Sequence, residues 1–410
     1  MAARGDPPRY RLPELLLAAA GVAGAVLDLG ADVWLAVGYA RAGHRGWAAL
    51  VLALLAAASL AAHACSWLWY GTDPPALAPA LPRSSLALLH LLQLGYMYRC
   101  LRALKMGWKL CWAQAASEEE QSHMAFLSHD ISMLRLFETF LENTPQLTLL
   151  LYVILRTNKA EPSQGVGICT AVLCVTWSLL DYHQSLRSFL RDKYELSLCS
   201  SFIYFLWNLF LICPRILAVA LFALLWPYGV AVHFPLVWLA MFFWVNMQRT
   251  DFMGSPGSEQ LYRAIVAVIL YFSWFNVAKG RTLYRSIIYH GFILVDSILL
   301  AVSWLWCCSP SDEYLYLIPV VSAALPCYVL GLVLRLTYYK WLHPNVRAQQ
   351  QGEHDEVDIS ARTEGLDFRF GSAPAVVNRR MQWLAQTHFA VSLQGEQSLL
   401  NGSAVADTAV

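Results

Sequence analysis

Charged residues are scarce in this chain of 410 residues, where Lys, Arg, Asp and Glu together make up 14%. A soluble globular protein carries about 25% charged residues. Hydrophobic residues make up 58% of the chain, and its mean hydropathy is +0.45. These charges are too few to cover the surfaces of the several soluble domains that a chain of this length would form. The composition therefore excludes an ordinary soluble protein and predicts a polytopic membrane protein.

Sequence signatures of nucleotide and hydrolytic chemistry are also missing. The chain has no Gly-Lys dipeptide, and therefore no phosphate-binding loop of the form G-x-x-x-x-G-K-[ST]. Neither H-E-x-x-H nor G-x-S-x-G occurs. The formal net charge of +1 gives no electrostatic signature for nucleic acid. We therefore expect neither an enzyme nor an ATP-driven pump, and no cofactor and no nucleic-acid partner.

The ten cysteines have neither the paired spacing of a metal site nor that of a disulfide framework. Most of them lie inside apolar runs, which is typical of cysteines that serve as small buried hydrophobic residues. No other metal-ligand cluster is evident along the chain. We therefore expect no bound metal.

Mostly apolar runs, each long enough to cross a bilayer core of about 30 Å, recur from residue 14 to residue 342. The predicted fold is an all-α membrane bundle with about eight transmembrane helices and one or two partial ones. The predicted regions are a stub (1–13), a helical domain (14–342) and a polar, disordered tail (343–410). Basic clusters at the run ends favour both termini in the cytosol by the positive-inside rule, although Arg41 and Arg45 violate it.

Ionisable residues lie inside these apolar runs, where a charge at the helix centre costs about 2.5–3.5 kcal/mol. Asp28 and Asp32 are one helical turn apart and share a face. The other embedded charges are Glu14, Arg99, Asp130 (a candidate helix cap), Arg135, Glu138, Glu142, Asp181, Arg215 and Asp296. Facing lipid without partners, they would cost more than a typical folding free energy. They must pair across helices, line a hydrated path, or do both. Their number favours a path, and ion pairs that only lock helices together are the alternative.

The polar tail contains Asp355-Glu356-Val357-Asp358, a recognition sequence for a protease of the caspase-3 type. Proteolysis needs an extended, accessible chain, and polar tails provide one. Cleavage after Asp358 would release residues 359–410, including a basic segment (378–385) that can form a short amphipathic helix. The loss of such a docked segment would act as a switch. A coincidental acidic run is the alternative.

Several stretches of the sequence resemble the XK-related family of membrane proteins. They are Leu88–Arg99, Asp130–Glu142 with Pro145-Gln146-Leu147, Leu179–His183, Ile203–Asn208, Tyr271–Asn276, Tyr338-Tyr339 with His343-Pro344, and Asn378–Met381. The resemblance covers about residues 14–390. It implies about eight spans and two partial helices, arranged in two internally related halves.

The resemblance also implies a function, which is an ATP-independent phospholipid scramblase of the plasma membrane. Such a protein exposes phosphatidylserine during apoptosis after a caspase removes its C-terminal tail. The implied partners are phospholipids, an effector caspase and a single-span immunoglobulin-type chaperone subunit (basigin or neuroplastin). The implied lipid-path residues are Glu14, Asp28, Asp32, Arg99, Asp130, Glu138, Asp181, Arg215 and Asp296. Trp47 would be the aromatic gate, and Arg379, Arg380 and Trp383 would plug the cytosolic entrance.

Two positions depart from the family pattern. Glu14 stands where we expect Asp, and Gln184 stands where close relatives carry Arg. The second departure leaves the partner of Asp181 open, with Arg187 or Arg215 as candidates. Two other functions also remain open. The same polar path could serve an ion channel or a small-solute transporter, or the charges could belong to a structural protein that escorts a partner.

Overall fold

The fold is all-α, as predicted from the composition and the apolar runs. The computed structural model describes residue 10 and residues 12–79, 81–113, 117–187, 198–278, 282–307, 317–338 and 377–389. Every secondary-structure element assigned within these residues is a helix. The caspase-type sequence at 355–358 and nearly all of the N-terminal stub lie outside them.

Seven helices occupy the first part of the chain. They are α1 (Leu12–Arg41), α2 (Arg45–Thr72), α3 (Arg83–Leu91), α4 (Gly95–Trp112), α5 (Glu118–Leu141), α6 (Asn143–Thr157) and α7 (Pro162–Arg187). A short 3-10 turn, Pro75–Leu77, follows α2. The remaining described helices are α8 (Leu198–Leu225), α9 (Pro227–Met247), α10 (Pro256–Phe272), α11 (Thr282–Cys307), α12 (Leu317–Thr337) and α13 (Arg379–Phe389).

Seven of these helices are long and apolar enough to cross a membrane, namely α1, α2, α7, α8, α9, α11 and α12. The chain is therefore a multi-pass membrane protein. The prediction was about eight spans with one or two partial ones. The amphipathic helices α4 and α5 and the 17-residue α10 are not among the seven. Charged residues lower the hydropathy of α4 and α5, whereas α10 is too short.

Two apolar stretches that the sequence presents as continuous are each two helices. The run at 84–112 breaks between α3 and α4, where Gln93 adopts a φ of 59°. The segment at 131–155 breaks at Glu142, between α5 and α6. Its first helix also begins earlier than predicted, because the Ser117 side chain accepts a hydrogen bond from the Glu120 N–H at 3.1 Å. Asp130 is therefore inside α5 and is not a cap.

The chain divides into two compact units. Unit 1 comprises residues 1–185, 253–265 and 371–381, and unit 2 comprises residues 186–252, 266–370 and 382–410. In unit 1, α2 packs against α1 and α5, and α4 also packs against α5. In unit 2, α8 packs against α9, α11 and α12. An internal relation between two halves stays a prediction, as do the predicted region boundaries.

Candidate functional site

Four charged side chains of unit 1 form a group that we call the tail-side cluster: Asp73, Arg99, Asp130 and Arg380. Arg99 on α4 is completely buried, and its guanidinium contacts the carboxylate of Asp130 on α5. The same guanidinium lies 3.5 Å from the carboxylate of Asp73. It also donates a hydrogen bond to the carbonyl of Ser66 on α2 at 3.1 Å. Arg99 thus connects α2, α4 and α5 at one point.

The tail helix α13 supplies the second cation of the tail-side cluster. The Nη2 of Arg380 lies 2.8 Å from Asp73 Oδ1 and 2.9 Å from Asp130 Oδ1. The side-chain amide of Asn378 also donates to Asp130 Oδ1, at 2.7 Å. The guanidinium carbon of Arg380 lies 4.7 Å from the ring centre of Trp69, within cation–π range. A residue from the C-terminal tail therefore shares both carboxylates with Arg99.

The electrostatics of the tail-side cluster depend on Arg380. Burial by itself lowers the pKa of an arginine, but the carboxylates of Asp130 and Asp73 outweigh it and raise the pKa of Arg380. Burial and the charge of Asp130 raise the pKa of Asp73, while Arg99 and Arg380 oppose that shift. Removing Arg380 would leave one cation facing two buried carboxylates.

The predicted plug residues have three different environments. Arg380 is in the tail-side cluster, whereas its neighbour Arg379 is exposed. Within unit 2, the Trp383 ring lies 6.4 Å from the ring of Phe252, edge to face. Asn276 donates a hydrogen bond to the carbonyl of Thr387 at 3.0 Å, also within unit 2. Arg380 is therefore the member of the three that makes buried ionic contacts.

A second group of unit 1, here called the α1 carboxylate cluster, consists of Asp28, Asp32 and Glu142. One carboxylate oxygen from each residue lies within 4.8 Å of the others. The side-chain amide of Asn143 donates to Asp28 at 2.6 Å, and that of Gln146 donates to Asp32. Within the described part of the chain, no Lys or Arg is paired with these carboxylates. Neutral amides from the start of α6 therefore hold acidic side chains of α1.

The α1 carboxylate cluster is the place where these residues could hold a cation. Three buried carboxylates this close together cannot all stay ionised without a proton or a cation among them. Carboxylate oxygens suit a hard cation such as Ca²⁺. This cluster is not recognisable from the sequence, because Glu142 is far from Asp28 and Asp32 along the chain.

Asp181 on α7 is paired with Arg135 on α5, and their closest atoms are 2.7 Å apart. The partner that the described residues show is therefore Arg135, which was not among the candidates, while the side chain of Arg187 lies outside the described residues. Arg135 also lies against Gly21 on α1, where an added Cβ would be 2.6 Å from its Nη2. A larger residue at this position would require the guanidinium to shift. One arginine therefore contacts α1 and pairs with α7.

Arg215 is paired instead within unit 2, where its Nη1 lies 2.5 Å from Asp296 Oδ2. Its Nε donates to the carbonyl of Tyr271 at 3.1 Å. The His233 ring lies 3.1 Å from Asp296 Oδ1 and 3.0 Å from the Tyr271 hydroxyl. His233 carries no signal in the sequence, because it is a lone histidine in an apolar run. The Asp73 of unit 1 was missed because it follows a run and precedes two prolines, as a loop residue does.

The remaining predicted residues lie outside these groups. Glu14 is exposed in the first turn of α1, and Glu138 is half-buried on α5. Trp47 packs edge-on against Tyr39, with ring centres 5.6 Å apart, and lies 4.3 Å from the ring of His44. These contacts fix the orientation of Trp47 at the start of α2.

The sequence model of the XK-related protein family matches residues 16–344. The chain belongs to the XK-related family. The family match ends before α13, so the matched XK-related region contains Asp73, Arg99 and Asp130 but not Arg380.

Individual XK-related relatives cover more of the chain. It is 51% identical to XK-related protein 8 of Pan troglodytes over 385 residues, which is 92% of this chain and 94% of the relative. It is 41% identical to XK-related protein 8 of Tetraodon nigroviridis over 387 residues, 91% of this chain and 95% of the relative. It is 35% identical to XK-related protein 9 of Tetraodon nigroviridis over 368 residues, 85% of this chain and 96% of the relative.

Proposed function

We propose that this protein is an ATP-independent phospholipid scramblase of the plasma membrane. It exposes phosphatidylserine during apoptosis after an effector caspase removes its C-terminal tail. The observation that carries the proposal is the position of Arg380, a tail residue buried between two carboxylates of the helical region. Those carboxylates also hold Arg99, so tail and membrane helices share one charged cluster.

The embedded charges supply the polar route in this mechanism. Lipid headgroups move stepwise, with choline or amine groups on carboxylates and phosphate on arginines, while the acyl chains stay in the bilayer. Asp181 and Asp296 support such a role, because their side chains are 30% and 18% exposed even though each is paired. Each polar contact lowers the cost of a charged headgroup inside the membrane. The movement is downhill in both directions and needs no ATP.

Tail removal provides the switch. Cleavage after Asp358 detaches residues 359–410, and Arg380 and Asn378 leave with them. Asp130 then loses two partners and Asp73 loses one, so Arg99 alone balances both carboxylates. The end of α2 and the middle of α5 are no longer held by the tail, and the entrance to the path opens.

The positions of the start of α1 and of Arg380 support the proposal that both termini are cytosolic. The helices α1 and α2 form a hairpin, so the start of α1 and the end of α2 lie at the same end of it. Arg380 binds Asp73, directly after α2. The start of α1 and the docked tail residue of unit 1 are therefore on one side. A single-span immunoglobulin-type subunit, basigin or neuroplastin, remains a proposed partner on the resemblance.

The test compares wild type with Asp358→Ala in cells that lack endogenous scramblase activity. After apoptosis is triggered, phosphatidylserine exposure and uptake of a fluorescent lipid are measured together with the amount of protein at the surface. We expect wild type to scramble and Asp358→Ala to remain inactive. Equal activity of both proteins would show that Asp358 is not the sole trigger. Inactivity of both at normal surface amounts would contradict the scramblase proposal.

The pairing of Arg135 with Asp181 and of Arg215 with Asp296 also fits charges that only lock helices together. That arrangement favours a structural protein that escorts a partner as the second candidate function. An ion channel or solute transporter is the third. An escort protein shows neither lipid movement nor conductance, whereas a channel shows conductance or solute uptake without lipid movement. Recording both from the same reconstituted protein separates the three functions.

A further inference from the structure

The surface of α4 has three sectors around the helix. Tyr96, Arg99, Cys100, Ala103, Gly107 and Leu110 are buried against the rest of unit 1. Leu101, Trp108 and Trp112 are exposed, by 55%, 60% and 68% respectively. At 100° per residue, Lys105, Lys109 and Arg102 occupy the sector beside them. A helix that carries aromatic residues next to cations is typical of one that lies at a membrane surface.

The three cations of this sector differ from Arg99 on the same helix. Lys105 and Lys109 are exposed, and Arg102 is half-buried. Within the residues that the structure describes, no carboxylate forms an ion pair with any of the three. Arg102 Nη2 instead donates to the carbonyl of Leu77 at 2.6 Å. The sector therefore presents positive charge that the described part of the protein does not neutralise.

The two tryptophans form a pair beside these cations. Their ring centres are 5.7 Å apart, one helical turn from Trp108 to Trp112. Tryptophan is enriched where the acyl region of a bilayer meets the headgroups, because its ring is apolar and its N–H is polar. We call the surface formed by Lys105, Trp108, Lys109 and Trp112 the α4 basic patch.

A contact with Tyr10 shows where the α4 basic patch lies in unit 1. A Cβ added to Gly107 would be 2.9 Å from the ring of Tyr10, which precedes α1. The C-terminal half of α4 is thus at the end of unit 1 where α1 begins. Arg380 binds Asp73 at the same end. The basic patch and the docked tail residue therefore face the same leaflet.

We propose that the α4 basic patch binds the headgroup of an anionic phospholipid from that leaflet. Lys105 and Lys109 pair with its phosphate or carboxylate, while Trp108 and Trp112 lie at the boundary between headgroup and acyl chain. Charge complementarity selects this occupant, since a zwitterionic headgroup would not neutralise the patch. The site holds a bound lipid beside unit 1 and does not depend on lipid transport, so it stands or fails independently of the proposed function.

The experiment uses the full-length protein in nanodiscs and two photoactivatable lipid probes that differ only in headgroup, phosphatidylserine and phosphatidylcholine. After illumination, labelling of the peptide that contains Trp108 and Trp112 is quantified by mass spectrometry. Each lysine near a membrane surface contributes about a fivefold preference for anionic lipid. We expect the serine probe to exceed the choline probe at this peptide. The double variant Lys105→Gln with Lys109→Gln should bring the two probes to equal labelling.

Two further variants serve as controls. Lys105→Arg with Lys109→Arg keeps both charges and should keep the preference. Arg41→Gln with Arg45→Gln removes two exposed charges at the other end of the α1–α2 hairpin and should leave labelling of α4 unchanged. Equal labelling of wild type by both probes would overturn the proposal, since the patch would then contact lipid without selecting it. Displacement of the serine probe by millimolar inorganic phosphate would also overturn it, because the patch would be a site for free anions.

Discussion

The tail-side cluster and the α1 carboxylate cluster both gather buried acidic side chains in unit 1, but they balance them differently. Two arginines, one from α4 and one from the tail, face Asp73 and Asp130. Side-chain amides donate to Asp28 and Asp32, and no Lys or Arg in the described part of the chain is paired with either. The first arrangement is a neutral joint between helices. The second is a buried group of carboxylates that needs a proton or a cation to balance it.

This difference separates structural from functional roles for buried charge. Ion pairs with complete partners join elements, and losing one partner leaves the other buried and uncompensated. Carboxylates without a cationic partner keep oxygens open to a ligand, such as Asp28 Oδ1 and Asp32 Oδ2, which accept no hydrogen bond from the described residues. We therefore expect changes to the tail-side cluster to alter stability and regulation. Changes to the α1 carboxylate cluster should alter transport.

The largest expected effect is the loss of Arg99. The variant Arg99→Gln leaves two carboxylates buried beside Arg380 alone, and breaking a buried pair costs about 3–5 kcal/mol. We expect a much lower thermal midpoint in detergent and little protein at the cell surface. Arg102→Gln is the matched control, because Arg102 is on the same helix and contacts backbone carbonyls. Similar losses for both variants would contradict a special role for the tail-side cluster.

Neutralising the α1 carboxylate cluster should have the opposite profile. The double variant Asp28→Asn with Asp32→Asn keeps the shape of both side chains and removes their charge. We expect normal thermal stability and normal surface delivery. The rate of lipid scrambling should fall by about 50-fold or more, because a charge at the membrane centre costs about 2.5 kcal/mol when its polar partner is lost. Arg41→Gln, which removes an exposed charge from the last turn of the same helix, is the control. Loss of surface delivery in the double variant would instead assign these residues a structural role.

The tail contact should have an intermediate effect. Arg380→Gln removes the positive charge that holds the tail against Asp73 and Asp130. Each hydrogen bond to a charged group contributes about 1.5–3 kcal/mol to stability. We expect the uncleaved protein to become active, with phosphatidylserine exposure about tenfold or more above the uncleaved wild type. Arg379→Gln alters the adjacent but exposed arginine and should remain silent until cleavage. Equal activation by both variants would show that the total charge of the tail controls activity and that the contact of Arg380 with Asp73 and Asp130 does not.

The smallest effect is expected at Gly21. The variant Gly21→Ala places a methyl group against the guanidinium of Arg135 and forces it away from Asp181. Overpacking of this kind costs about 1–3 kcal/mol. A fall of a few degrees in thermal midpoint is the expected result. Gly24→Ala is the control, because nothing lies within 4 Å of a Cβ at Gly24. An unchanged midpoint for Gly21→Ala would show that Arg135 has room to move.

The sequence predicted some features of the site and missed others for physical reasons. The need to pair embedded charges follows from the cost of charge in lipid, and it was foreseeable for Arg99, Asp181 and Arg215. The identity of the partners was not foreseeable, as the pairing of Asp181 with Arg135 shows. Asp73 and His233 carried no signal, since an aspartate at a helix end and a lone histidine are both common. The break at Gln93 was missed because the residues around it are apolar on both sides.

By itself, the sequence determined that this is a helical membrane protein with charges that need partners, because hydropathy and charge are properties of each local segment. Only the tertiary structure decided which charges meet. Glu142 reaches Asp28 and Asp32, and Arg380 reaches Asp73 and Asp130, across long stretches of chain. The physical reason is that an ion pair depends on distances of a few ångströms between side chains, and helix packing sets those distances.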